Sequence, residues 1–267
     1  MCYIKEKEKL MFIDTHAHLN DAKLLPDVNG VIFRAKEFNV ERIVNAGYDL
    51  ASSQKGIELA DKYKEVYACI GVHPENAKCF DNQIENFLME NGEREKVIAI
   101  GEIGLDYHYE GYDKELQKKV FIRQLEIANE LKLPVVIHSR DATGDMLEIL
   151  KNNSNLLKYG GLMHCFNGSL ETLKEVLKLG LKVSFGGAIT FKNSKNAPEL
   201  IKNIPLESFT LETDCPYLCP EPFRGKINEP KNIPLIAQKI ADILNKNVSE
   251  IEEITTLNAK NLFKKLK

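Results

Sequence analysis

The sequence predicts an α/β protein that forms a single (β/α)8 barrel of the TIM type with additional C-terminal helices. Short apolar segments rich in β-branched residues recur eight times along the chain, and segments with helical spacing lie between them. The alternative fold is an open doubly wound sheet, which usually carries a G-x-G-x-x-G loop after its first strand. Here the first strand is followed by His-Ala-His instead. The chain has 267 residues, a length that suits one barrel domain.

The eight apolar segments are the predicted strands. They are continuously apolar, as expected for parallel strands that are covered on both faces. In chain order they comprise residues 11–14, 42–46, 66–71, 97–101, 135–138, 161–165, 181–185 and 209–212. Their alternation with helical segments predicts βαβ units, and eight such units favour a closed barrel.

The segments between the strands have the spacing of helices that bury one face. The clearest covers residues 113–131, where apolar side chains recur every three or four positions. After the eighth strand come a proline-rich loop, residues 216–230, and two or three helical segments that reach residue 267. Ser249 and Glu252 have the spacing of a capping box for one of these helices.

The domain organisation predicted from composition is simple. Residues 1–10 are mostly charged and are interpreted as a short N-terminal extension. No linker-like or repeated segment divides residues 11–267, so these are predicted to form one domain.

Composition limits the classes of partner. The formal net charge of -3 provides no overall basic surface for nucleic acid, so a phosphate-bearing substrate would need a local binding patch. The six cysteines lack the spacing of a disulfide scaffold, and no apolar run is long enough for a membrane span. We therefore expect a cytoplasmic protein with reduced thiols, no membrane association and no obligate protein partner.

Residues of the types that bind metal ions lie at the ends of several predicted strands. They are His16 and His18 after strand one, Glu102 at the end of strand four, His138 at the end of strand five, His164 in strand six and Asp214 after strand eight. Barrel enzymes have their active sites at the C-terminal ends of the strands. A single histidine is more often a core or surface residue, but the joint placement of all six residues favours a metal site. Four imidazoles and two carboxylates suffice for two divalent ions, and a glutamate is suited to bridge them.

Further candidates lie on the same predicted face. His73 ends strand three, where it could donate to a substrate phosphate or have only a structural role. Arg140 and Arg224 lie in the loops after strands five and eight, where arginine could bind phosphate. Asp106 and His108 follow the fourth strand and either shape the mouth of the barrel or form a turn.

These segments resemble the TatD-type metal-dependent hydrolases, a branch of the amidohydrolase-like barrels. The matching motifs run in order along the chain: FIDTHAH at 12–18, GVHP at 71–74, GEIGLDYH at 101–108, HSRDA at 138–142, HCFNG at 164–168, LETDCPY at 211–217 and RGKINEP at 224–230. The resemblance implies a two-metal barrel that hydrolyses phosphodiesters, commonly as a deoxyribonuclease. It also implies that Glu102 bridges two ions, one held with His16, His18 and Asp214 and the other with His138 and His164.

The function predicted from the sequence is a divalent-metal-dependent hydrolase, most simply a deoxyribonuclease or phosphodiesterase that attacks DNA ends with a hydroxide activated by two metal ions. Glu102 and Asp214 are the predicted catalytic residues, and Asp214 would orient or deprotonate the water. Zn, Mn, Mg, Co and Ni all remain open as the metal.

Two other functions stay open at this point. An esterase or amidase, such as an aminoacyl-tRNA deacylase, would use the same metal site, and a non-catalytic metal-binding scaffold would keep the barrel without the chemistry. The sequence has no Trp and no run that mixes aromatic and basic residues. This favours a nucleic-acid terminus or a small phosphoester over a long bound strand.

Overall fold

The computed structural model describes residues 11–267, in which eight parallel strands form one sheet that curls into a barrel. Strands β1 to β8 comprise Phe12–Ala17, Val40–Ala46, Val66–Ile70, Val97–Asp106, Val135–Arg140, Gly161–Met163, Lys182–Phe185 and Phe209–Leu211. Each strand pairs with the next in chain order. β1 also meets β8, where the Thr15 hydroxyl donates to the Leu211 carbonyl oxygen at 2.9 Å. The predicted barrel is confirmed, and the extension predicted at residues 1–10 lies outside the described residues.

Helices follow the strands in regular alternation. Helices α1 to α9 comprise Val28–Glu37, Leu50–Lys62, Asn82–Gly92, Lys114–Glu130, Thr143–Asn152, Leu170–Lys178, Ala197–Asn203, Ile233–Leu244 and Val248–Leu262. The first seven connect consecutive strands, and α8 and α9 are the predicted C-terminal helices. None of the helices in residues 11–267 is long and apolar enough to cross a bilayer.

Capping residues determine where the helices begin. The Asp113 side chain accepts a hydrogen bond from the Leu116 N–H at 3.0 Å, so α4 begins at Lys114.

The capping pair predicted from Ser249 and Glu252 is wrong by two residues. Asn245 ends α8 in the left-handed conformation at φ 52°, so the chain reverses at once and α9 begins at Val248. The actual pair is Asn247 and Glu250, whose carboxylate accepts the Asn247 N–H at 2.9 Å.

Several strands end at other residues than the apolar pattern predicts. β1 continues to Ala17 and β4 to Asp106, because backbone pairing with the next strand persists beyond the last apolar residue. His16 and Glu102 therefore lie within strands. β6 ends at Met163, so the prediction that His164 lies in this strand is wrong, and His164 begins the loop that follows.

The C-terminal helix closes the end of the barrel opposite the candidate site. Phe263 at the end of α9 is fully buried in a core cluster with residues from inside the barrel, among them Ile13 and Ile98. Lys265 donates to carbonyl oxygens near the start of β4, including that of Val97 at 3.0 Å. With the N-terminal ends of the strands covered in this way, the C-terminal ends form the open mouth.

Candidate metal centre

The six ligand residues predicted from the sequence converge at the C-terminal ends of the strands. Together with His73, their ligand atoms form overlapping groups of three among the described residues, and the atoms of each group lie within 4.8 Å of one another. The groups are His16, Glu102 and His164; His16, His18 and Asp214; and His73, Glu102 and His138. The structure thus brings together side chains that are up to about 200 positions apart in the chain.

Glu102 lies at the middle of this cluster. Its Oε2 lies 3.4 Å from His16 Nε2 and 3.6 Å from His18 Nε2. Its Oε1 lies 2.8 Å from His164 Nε2 and 2.9 Å from His138 Nδ1. The two carboxylate oxygens therefore face two separate pairs of imidazoles.

Asp214 completes the side of the cluster that holds the His16 and His18 pair. Its Oδ1 lies 3.3 Å from His18 Nε2 and 3.7 Å from His16 Nε2. The Asp214 backbone has a left-handed φ of 53°, and its N–H donates to the His16 carbonyl oxygen at 2.9 Å. A left-handed backbone conformation costs free energy for most residues that have a side chain. The hydrogen bond to β1 helps to maintain this conformation, in which the Asp214 carboxylate is directed toward the histidines.

Hydrogen bonds at the outer side of two rings assign their tautomers. His18 Nδ1 lies 3.1 Å from the Ala46 carbonyl oxygen, and His138 Nε2 lies 2.9 Å from Asp106 Oδ2, so each of these nitrogens is a donor. In a neutral imidazole the other nitrogen then carries a lone pair. Those lone pairs point at carboxylate oxygens of Asp214 and Glu102. Acceptors that face acceptors attract a cation, and this mixture of imidazole and carboxylate fits a divalent metal ion.

The charge of Glu102 is stabilised by its neighbours. Burial by itself would raise its pKa, but electrostatic interaction with the neighbouring histidines, foremost His164, lowers the pKa of Glu102 well below the ordinary value. The carboxylate is therefore an anion at neutral pH and adds negative charge to the proposed ligand set.

Glycines in β4 allow Glu102 to reach the centre. Gly104 has a φ of +143°, and a Cβ there would lie 2.0 Å from the His138 carbonyl oxygen. At Gly101 a Cβ would lie 2.7 Å from the Val136 carbonyl oxygen. Both positions therefore require glycine, because β4 and β5 approach too closely on each side of Glu102 for a side chain.

His73 faces the same centre with an N–H group rather than a lone pair. Its Nδ1 accepts the Glu75 N–H at 3.2 Å, so in the neutral ring Nε2 carries the hydrogen. Nε2 lies 3.6 Å from Glu102 Oε1. Burial lowers the pKa of His73 to about 3, although the Glu102 carboxylate opposes this shift. His73 is thus a neutral hydrogen-bond donor at the centre.

The two predicted substrate-binding arginines lie in different surroundings. Arg140 is the last residue of β5, so the prediction that it lies in the loop after this strand is wrong. Arg140 lines a cavity of about 750 Å³ above the cluster, and its guanidinium carbon lies 5.3 Å from the centre of the Tyr109 ring. Arg224 stacks on Phe191 at 4.1 Å. Among the described residues, those that line this cavity include Arg140 but not Arg224.

The two residues after the fourth predicted strand have separate surroundings. Asp106 is buried and accepts the His138 Nε2 proton, so it orients a candidate ligand. His108 lies on the surface, where its Nδ1 is 2.8 Å from Asp141 Oδ2.

Two fully buried carboxylates support the site and were not identified from the sequence. Glu212 accepts the Cys165 N–H at 2.6 Å, and its Oε1 lies 3.7 Å from His164 Nδ1. Asp14 accepts the N–H groups of Thr213 at 2.9 Å and His16 at 3.3 Å. Burial raises the pKa of Asp14 to about 8, although hydrogen bonds from Thr213 oppose the shift. Each carboxylate precedes a predicted ligand by two residues, and this spacing is the signal that could have revealed them.

Comparison with known proteins relates the chain to one family along almost its whole length. The sequence profile described as "TatD related DNase" matches residues 13–264. The metal-dependent hydrolase YabD of Bacillus subtilis is 45% identical over 254 residues, which cover 95% of this chain and 99% of that protein. The metal-dependent hydrolase YcfH of Escherichia coli is 34% identical over 257 residues, with 95% and 96% of the two chains covered.

Solved structures show the same relationship. The crystal structure of YjjV, a TatD homologue from Escherichia coli, superposes with a TM-score of 0.90 at 30% identity and covers 95% of this chain and 98% of its own. A TatD family hydrolase from Entamoeba histolytica superposes with a TM-score of 0.83 at 26% identity, with 95% and 98% covered.

Proposed function

Since the chain belongs to the TatD-related DNase family, and is thus a metal-dependent hydrolase, we propose that it hydrolyses phosphodiester bonds at DNA ends. The observation that carries this proposal is the position of Glu102, whose two oxygens face two pairs of imidazoles beneath an open cavity. Such a centre suits substrates that need two positive charges near the reacting atoms, as phosphodiesters do. The family description supports DNA as the substrate.

The proposed ligands divide into two sets that share Glu102. His16, His18, Asp214 and Glu102 would hold one ion, and His138, His164 and Glu102 would hold the other. When bound, two divalent ions supply Lewis acidity and a water that is acidic enough to react at neutral pH. Zn, Mn, Co and Ni suit a set rich in imidazoles better than Mg does.

The protein groups around the centre have distinct roles in this proposal. Asp214 orients the attacking water and accepts its proton at the carboxylate oxygen that is not directed at His18. His73 donates its Nε2 hydrogen to a non-bridging oxygen of the phosphate, where negative charge develops. Arg140, at the wall of the cavity, binds a phosphate by its guanidinium.

The direct test is release of nucleotides from end-labelled single-stranded DNA by the purified, metal-loaded chain. We expect nucleotide release that EDTA abolishes and that added Mn²⁺ or Zn²⁺ restores. Deacylation of aminoacyl-tRNA, measured on the same preparation, distinguishes the esterase alternative. If the loaded chain deacylates that substrate and releases no nucleotides, the proposed function is wrong.

A matched pair of histidine variants tests the ligand assignment independently of activity. The double variant His16→Ala/His18→Ala should lose bound metal, measured by elemental analysis after dialysis against a divalent ion. The variant His108→Ala should keep the wild-type metal content, because His108 lies on the surface beside Asp141. Equal metal content in the double variant and the wild type would contradict the assignment.

A further inference from the structure

We propose that the mouth of the barrel carries two nucleobase platforms, Tyr109 with Arg140 and Tyr217 with Lys23. They would hold the bases on either side of the bond that is cut, so the substrate is a single-stranded end at least two nucleotides long. The inference rests on the proposed function of the metal centre and adds the residues that select the substrate.

The platform of Tyr217 and Lys23 has its tyrosine in the loop that follows β8. The Tyr217 ring lies beside His18, with 6.3 Å between ring centres, and lines the cavity above the metal centre. Its hydroxyl donates to Asp21 Oδ2 at 2.9 Å, which fixes the ring, while 46% of the residue's surface is exposed. Lys23 Nζ lies 5.1 Å from the ring centre. The ring is thus held in place with much of its surface open to a ligand.

The platform of Tyr109 and Arg140 has its tyrosine in the loop that follows β4. Tyr109 lines the same cavity and is 55% exposed. The guanidinium carbon of Arg140 lies 5.3 Å from its ring centre, and Arg140 Nη1 lies 3.4 Å from its hydroxyl oxygen. Asp106, at the end of β4, and His138, in the neighbouring strand β5, also line the cavity. Tyr109 therefore stands at the side of the centre that the His138 and His164 pair occupies.

The order of the strands places the two platforms on opposite sides of the mouth. β4 and β8 are four strands apart in a ring of eight, so the loops that follow them face each other across the barrel axis. The cluster around Glu102 lies between them. A phosphodiester at this cluster would have one neighbouring base within reach of each tyrosine, whereas a small phosphoester would meet at most one.

The chemistry of each pair suits a nucleotide. Aromatic rings stack on any base, and the stacking contributes about 1–3 kcal/mol per base. The cation beside each ring can bind the backbone phosphate of the same nucleotide. Each pair joins residues that are far apart in the chain, which is why the sequence shows no aromatic–basic run.

Binding to a non-cleavable DNA separates this inference from the proposed function. The probe is a labelled single-stranded pentanucleotide in which methylene groups replace the bridging oxygens of the terminal linkages, and its Kd for the metal-loaded chain is measured by fluorescence anisotropy. We expect Tyr109→Ala and Tyr217→Ala each to raise Kd about 5- to 150-fold, the factor that corresponds to the stacking energy. The variants Tyr109→Phe and Tyr217→Phe keep the stacking ring and lose only the hydroxyl bonds to Arg140 and Asp21, so each should bind several-fold more tightly than the corresponding alanine variant.

Two further comparisons make the outcome specific. Tyr159→Ala removes another exposed tyrosine, just before β6 at the opposite end of the barrel, and should leave Kd unchanged. An abasic probe should bind the wild type more weakly, and for the matching position the Tyr→Ala change should then cost nothing more. Arg140→Gln and Lys23→Gln should each reduce the slope of log K against log salt by about 0.7.

The inference is overturned if base-containing and abasic probes bind the wild type equally, if the Tyr→Ala and Tyr→Phe variants have the same Kd, or if the wild type does not bind the probe. Failure of the proposed function gives a different result. A chain that binds the probe through both tyrosines but releases no nucleotides from ordinary DNA would support the platforms and contradict the proposed reaction.

Discussion

Replacing Asp106 by asparagine tests how the protein orients one of its proposed metal ligands. In the structure Asp106 Oδ2 accepts the Nε2 hydrogen of His138 at 2.9 Å, and this bond directs Nδ1 at Glu102. A hydrogen bond to a charged partner contributes about 1.5–3 kcal/mol, and one between neutral groups about 0.5–1.5 kcal/mol. Asparagine keeps the shape but removes the charge, so the difference of about 1–1.5 kcal/mol predicts roughly tenfold weaker metal binding.

The assay is competition for Zn²⁺ or Mn²⁺ between the protein and a chromophoric chelator of known affinity. Asp141→Asn is the matched control, because Asp141 makes a bond of similar length to the surface histidine His108. We expect Asp106→Asn to weaken one of the two binding steps and Asp141→Asn to weaken neither. If both variants bind metal within twofold of the wild type, the reasoning about Asp106 is refuted.

Three further predictions concern the frame of the site. Gly104→Ala should lower both the free energy of unfolding and the metal content, because the added Cβ would collide with the β5 backbone. Chemical denaturation measures the first quantity and elemental analysis the second, and wild-type values of both would contradict the steric argument. Phe263→Ala should lower the free energy of unfolding by about 3–5 kcal/mol, because it opens a cavity at the bottom of the barrel. Leu257→Ala, on α9 at a residue that is 57% exposed, should change it by less than about 0.5 kcal/mol. Asp145 accepts hydrogen bonds from two lysines and a tyrosine, and these lower its pKa in the folded protein. Its ionised form therefore stabilises the fold fully above the unfolded-state pKa of about 3.9, and this stabilisation is lost as the pH falls from there toward the lower folded-state pKa. Asp145→Asn should therefore lower the urea midpoint at pH 7 but progressively less toward pH 2, and an equal loss at both pH values would exclude this linkage.

The sequence alone determined the architecture and the choice of candidate ligands. Hydrophobic periodicity is a local property, so the alternation of strands and helices could be recognised without any tertiary information. Once parallel strands are arranged in a ring, their C-terminal ends must meet, and this placed His16, Glu102, His138 and Asp214 near one another. The errors are confined to boundaries. His164 lies just outside β6, and the cap of α9 lies at Asn247 rather than Ser249, because backbone pairing and chain reversal decide where elements end.

Only the tertiary structure decided which side chains support and surround the centre. The partners Asp106 and His138 are 32 positions apart, and Glu212 and His164 are 48 positions apart, so no local pattern reveals either pair. The tyrosines at the mouth show the same limit, since Tyr109 and Tyr217 come from loops on opposite sides of the barrel. Periodicity reports which face of an element is buried. Distances between residues that are far apart in the chain depend on how the whole barrel closes, and those distances set the ring tautomers, the direction of the lone pairs and the width of the mouth.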